Sequence, residues 1–105
     1  MKQENIIRYE KRIYVPEAEL HLQYYLYTNP AGDGSGRRIY DLEILGMDPT
    51  GRDVCFISDI ATSSSMAEKI WRVFTDELVT PITAEDILAD LLSDKSFLQM
   101  ADDMF

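Results

Sequence analysis

Apolar and polar positions alternate through the first half of the chain and change to helical spacing near residue 60. The cleanest strand signal is residues 20–27. Leu20, Leu22, Tyr24 and Leu26 fall on one face and His21, Gln23, Tyr25 and Tyr27 on the other. Residues 6–15 alternate as well: Ile7, Tyr9, Ile13 and Val15 share a face interrupted by Lys11, opposite Arg8, Glu10 and Arg12. Pro16-Glu17-Ala18-Glu19 ends that strand, because proline has no N–H for a ladder. A loop, Asn29-Pro30-Ala31-Gly32-Asp33-Gly34-Ser35-Gly36, leads to a third strand over 38–45, where Tyr40, Leu42 and Ile44 alternate with Asp41 and Glu43. Asp48-Pro49-Thr50-Gly51 reads as a tight turn. The fourth strand, 54–60, opens on four apolar residues, V-C-F-I, a run that predicts a central position buried on both faces. The short connections predict an antiparallel meander.

Two helices follow. The first starts within 62–65. Ser65 and Glu68 have capping-box spacing, and Ser63 is an equally good cap by residue type. Met66, Ile70, Val73, Phe74 and Leu78 form its apolar stripe, with Trp71 at the margin. Val79-Thr80-Pro81-Ile82 ends it. Thr83 is the expected cap of the second helix, with Ile82 stapled on Ile87 and a stripe of Ala84, Ile87, Leu88, Leu91 and Leu92. In the tail, 95–105, Phe97, Leu98, Ala101, Met104 and Phe105 also keep helical spacing, with Ser96 as cap, which predicts a short third helix or a frayed end.

The predicted fold class is therefore α+β in one domain, 1–105: a four-stranded antiparallel sheet (1–60), two helices on one of its faces (61–94) and a tail. Met66, Ile70, Phe74, Leu78, Ile87, Leu88 and Leu91 are expected to cover Leu22, Tyr24, Leu42, Ile44 and Phe56.

Charge narrows the partners. The net charge is −9. Residues 1–58 hold nine acids and seven bases, whereas residues 59–105 hold ten acids and three bases, so the helical part carries most of the negative field. Such a field repels phosphate backbones and anionic lipid, so neither nucleic acid nor membrane is an expected partner. Cys55, the one cysteine, allows no disulfide within the chain and no cysteine zinc cluster. With no apolar leader and no run of membrane-spanning length, a cytoplasmic protein is expected.

No constellation for chemistry emerges. His21, the one histidine, stands on an outward strand face among Gln and Tyr. Gly32, Gly34 and Gly36 precede a strand rather than a helix, so they do not form a phosphate loop. Read as a calcium loop from Asn29, the same segment lacks an oxygen ligand at Ala31 and the closing glutamate at Tyr40. The acidic pairs Glu85-Asp86 and Asp102-Asp103 are adjacent in sequence and do not face one another on a helix. No metal, cofactor or catalytic residue is expected.

Three segments carry a family resemblance: I-Y-D-L-E-I, then V-C-F-I-S-D-I-A-T-S leading into A-E-K-I, then V-T-P-I-T-A-E-D-I-L-A-D-L-L. On these, residues 39–92 resemble an uncharacterised family of short proteins from clostridial and related gut Firmicutes, a domain of unknown function. Asp41 and Thr83 stand where that family tends to have Gly and His. The resemblance implies a bacterial origin and supplies no activity, cofactor or site residue.

The functional expectation is a non-enzymatic protein-interaction module, pairing with itself or with another protein. Its candidate interface residues are the surplus apolar side chains Tyr25, Tyr27, Trp71, Phe97 and Phe105. One alternative is a ligand-binding or hydrolase-like pocket between sheet and helices with Tyr24, Tyr40 and Asp59 as its polar groups. Another is an acidic inhibitor of a basic protein.

Overall fold

The computed structural model describes residues 6–94 and Phe97. Four strands come first, β1 (Ile7–Val15), β2 (Leu20–Pro30), β3 (Arg38–Asp48) and β4 (Gly51–Ile57), followed by α1 (Ser64–Asp76) and α2 (Ala84–Ser93). The strands pair antiparallel in chain order, so the expected α+β meander is what the chain forms. One turn of 3-10 helix, Pro16–Ala18, joins β1 to β2.

Both helices cover one face of the sheet. The inward residues of the two central strands, Leu22, Tyr24, Leu26, Leu42 and Ile44, are buried against Ala67, Ile70 and Phe74 of α1 and Ala84 and Leu88 of α2. Burial of these side chains is the main favourable term in the fold. Tyr24 is fully buried, and its hydroxyl donates to the Val79 carbonyl at 2.9 Å.

Several expectations need correction. β4 is an edge strand, not a central one. Its register pairs Cys55 with Ile44 and Phe56 with Glu43, so Cys55 and Ile57 face the helices and Phe56 faces out, 46% exposed. Phe56 is therefore not a core residue. Ile7 does not share a face with Tyr9, because β1 contains a bulge. Ile7 pairs with Tyr27 and Tyr9 with Leu26, leaving Arg8 as an extra residue between them.

The helix ends also differ. Ser63, not Ser65, caps α1, its hydroxyl accepting from the Met66 N–H at 3.2 Å, while Glu68 turns away to Arg8. Leu78 lies beyond the stripe it was expected to join. It is half-exposed with φ of 53°, and Val79 takes the buried place. Thr83 does not cap α2 with its side chain; its hydroxyl donates back to the Thr80 carbonyl. Ile82 is 79% exposed, so no staple forms on Ile87.

Candidate functional site

The sheet face away from the helices has no cover among the described residues, and the register defines what it displays. β1 contributes Ile7, Glu10, Arg12 and Tyr14, and β2 contributes His21, Gln23, Tyr25 and Tyr27. β3 adds Glu43, Leu45 and Met47, and β4 adds Arg52, Val54 and Phe56. Ile7, Tyr14, Met47, Val54 and Phe56 are each between 46% and 56% exposed. The large apolar groups exposed on the helical side, Leu78, Ile82 and Leu92, stand at a helix end, in a turn and near the end of α2 rather than along one row. An antiparallel sheet with one solvated face normally fills that face with polar residues. Here aromatic and aliphatic groups occupy much of it.

Rings organise the face. Tyr25 stacks on Tyr27 with centroids 6.0 Å apart, and Tyr27 meets Phe56 at 6.2 Å. At the other end Tyr14 lies over His21 at 4.5 Å. The tyrosine hydroxyls are held within the face, Tyr25 donating to Gln23 at 2.8 Å and Tyr27 to Glu43 at 2.7 Å. Partial burial, with the nearby Glu43 carboxylate second, pushes the Tyr27 phenol up, so it stays neutral at any physiological pH. A hollow of about 270 Å³ lies beside these rings, lined by His21, Gln23, Leu45, Met47, Arg52 and Val54.

The candidate interface residues named from sequence do not form one patch. Tyr25 and Tyr27 lie on the open face. Trp71 lies on the helical side, half-buried and stacked on Tyr9 at 5.2 Å, with its indole N–H buried and unpartnered among the described residues. Phe97 is buried, with the Lys69 ammonium 5.0 Å from its ring centre. Phe105, like the rest of the tail helix expected at 95–105, lies outside the described residues. Sequence reading missed Tyr14, Met47, Val54 and Phe56. The available signal was the alternation in β4, which sets Val54 and Phe56 against Cys55 and Ile57 once that strand is placed at an edge.

Of the residues of the alternative pocket, Tyr40 is buried, and its carbonyl accepts from the Ile60 N–H at 2.8 Å, next to Asp59. Tyr24 is sealed in the core with its hydroxyl engaged. Asp59 lines a shallow cavity of about 260 Å³ near Arg37, Thr62 and Met66. Asp41, at the end of the outward row, is buried and structural: its carboxylate accepts from the Ser58 hydroxyl and the Asp59 N–H, both at 2.9 Å. His21 faces out, as expected. Burial, then the charge of Glu85, pushes the Cys55 thiol up, which favours its protonated form. Among the described residues, no group of three or more His, Cys, Asp or Glu side chains gathers as metal ligands, and no helix is long and apolar enough to cross a membrane.

Comparison with known proteins places the chain at the level of a family. No curated protein and no solved structure matches it. A family model does match, over residues 3–94, which takes in all four strands and both helices and reaches well beyond the 39–92 stretch that carried the resemblance. The chain belongs to the family of unknown function DUF6514.

Proposed function

We propose that the chain is a non-enzymatic protein-interaction module that docks through the open face of its sheet. The observation that carries this reading is the set of half-exposed apolar side chains on the uncovered face, Met47, Val54 and Phe56 on the paired strands β3 and β4 and Ile7 and Tyr14 towards the two ends of β1, together with the Tyr25–Tyr27–Phe56 rings. Apolar and aromatic side chains exposed together on one face are favourable to bury and unfavourable to leave in water. Tyrosines whose hydroxyls are already bonded within the face present rigid rings at little entropic cost. A cytoplasmic setting fits the one unpaired cysteine.

Affinity capture from cells that make the protein tests the reading. Wild-type chain is compared with a Val54→Lys/Phe56→Glu variant and with an Ile82→Lys control, which changes an exposed residue on the helical side. The wild type and the control should retain at least one protein, the native copy of the chain included, that the open-face variant loses. Identical captured sets for all three would refute the use of this face.

A further inference from the structure

Charge and edge geometry together narrow what can cover the open face. The chain carries −9 overall. The charged side chains that open onto this face, Glu10, Arg12, Glu43 and Arg52, nevertheless cancel. Glu10 and Arg12 are paired at 3.0 Å, and Glu43 accepts from Tyr27. A second copy brings the same excess of negative charge. Contact through the acidic helical side is therefore repulsive, and a neutral apolar face is where two copies can meet.

The sheet edges point the same way. Lys11 of β1 pairs with Tyr24, and Asp53 of β4 pairs with Gly46, so both stand on the helical side of an edge strand, and both are exposed. An inward-pointing charge on an edge strand opposes extension of the sheet by another strand. Both edges carry this guard, which leaves the face.

The area is sufficient. The two central strands are 11 residues long. At ~3.3 Å per residue and ~4.8 Å between strands, four strands present roughly 600 Å² per copy. Two copies would bury about 1,200 Å², at the lower end of the range for specific protein interfaces.

We infer that the chain forms a two-fold homodimer in which the open sheet face of one copy stacks on the same face of the other. This rests on the interaction-module reading and names its partner. In such an isologous contact each interaction occurs twice. Aligned sheets stack ~10 Å apart with interdigitating side chains. Tyr14, Met47, Val54 and Phe56, each about half-exposed, are the side chains that would enter that layer.

Sedimentation equilibrium on the full chain, from about 1 to 200 µM, measures the association. The wild type should dimerise with a dissociation constant on the order of 10 µM. Val54→Lys/Phe56→Glu replaces apolar contacts on both copies by charged side chains that must be desolvated, and should weaken the dimer by at least ~100-fold. Ile82→Lys should leave it unchanged. Raising the salt should tighten the wild-type dimer, because screening relieves repulsion between the two negative copies.

A wild type that sediments as a 12.1 kDa monomer at the highest concentration overturns the homodimer. So does a dimer that persists in the open-face variant or weakens as salt rises. Circular dichroism checks that the variant folds; if it does not, Tyr14→Lys and Met47→Lys, each at a half-exposed position, take its place with the same expectation. A monomeric wild type that still loses a captured protein on Val54→Lys/Phe56→Glu refutes self-association alone. Unchanged capture refutes the wider reading.

Discussion

Glu68 on α1 receives Arg8 of β1 at 2.8 Å, a contact between residues 60 positions apart that the strand could not make without its bulge. The extra residue in β1 takes Arg8 out of the alternation that would place it on the open face and lets it reach the helical side. The Arg8 Nε and Nη2 and the Tyr9 hydroxyl all donate to the same oxygen, Glu68 Oε1, at 3.2, 2.8 and 2.9 Å. Tyr9 in turn stacks on Trp71. The start of the edge strand is thereby tied to α1, while Ile7, just before the bulge, is released to the open face.

Stability in acid should depend on this contact. The Arg8 hydrogen bond, more than the Tyr9 hydroxyl, holds the Glu68 carboxyl below its ordinary value of 4.5. A carboxylate lowered in the folded state contributes stability above the unfolded value and loses it as pH falls through the folded one. Both partners are partly exposed, so Glu68→Gln should cost only about 1 kcal/mol at pH 7. The gap between wild type and variant should close as pH falls below about 4. Urea midpoints measured across that range would show it, and curves that stay parallel into acid would refute the linkage.

The end of α1 offers a stabilising change. The Val79 N–H donates to the Phe74 carbonyl at 3.0 Å across Leu78, which has φ of 53°. This is a Schellman ending, in which the left-handed position is normally glycine because a Cβ is strained there. Leu78 is 40% exposed, so it gives back only part of a leucine's burial. Leu78→Gly should raise stability by about 0.5–1 kcal/mol, read as a higher thermal midpoint. A lower midpoint would mean that Leu78 contributes more through its contacts than it costs in backbone strain.

The elements were legible in the sequence because their periods are long and regular. Leu22, Tyr24 and Leu26 could only be one face of a strand, and Met66, Ile70 and Phe74 only one face of a helix. What escaped was set by single residues or by position in the sheet. A bulge adds one residue without changing composition, so Ile7 and Tyr9 looked like neighbours on one face. V-C-F-I looked like a strand buried on both sides because nothing in its own residues says that it lies at an edge. The surplus apolar character of Val54 and Phe56 was thus assigned to the core when it belongs to the open face. Ser63 caps α1 as its residue type allowed, but the capping box and the Thr83 cap do not form, for a related reason: Glu68 and Thr83 have the right spacing, but Arg8 and the Thr80 carbonyl take their side chains first.

A side chain at Gly46 should crowd the turn between the helices. Gly46 lies on the inner face of β3, where an added Cβ would come 3.2 Å from Pro81 Cδ, 3.4 Å from Pro81 Cγ and 3.6 Å from Leu22 Cδ2. Pro81 belongs to the turn between the helices, so the absence of a side chain at Gly46 lets that turn rest on the sheet. Gly46→Val should destabilise by about 1–3 kcal/mol through overpacking, with Gly46→Ala at the low end. Equal midpoints for wild type and Gly46→Val in chemical denaturation would show that the turn moves aside freely.

Tyr24 joins the two layers most directly, because its buried hydroxyl donates to the Val79 carbonyl just past the end of α1. Tyr24→Phe removes the donor and leaves that carbonyl unsatisfied beneath Val79, itself 5% exposed, so the loss at pH 7 should be about 1–2 kcal/mol. Burial also pushes the Tyr24 phenol from 10.0 up to about 12. The folded state thus prefers the neutral form. Its contribution is complete below the unfolded value and is lost as pH rises through the folded one. At pH 11 the unfolded chain ionises at this position while the folded chain does not, which costs the wild type about 1 kcal/mol that Tyr24→Phe cannot lose. The other tyrosines are common to both proteins and cancel. The stability gap between wild type and variant should therefore shrink between pH 7 and pH 11. A gap that stays constant would mean that the phenol titrates alike in the folded and unfolded chains, and that Tyr24 is less well sealed than its burial indicates.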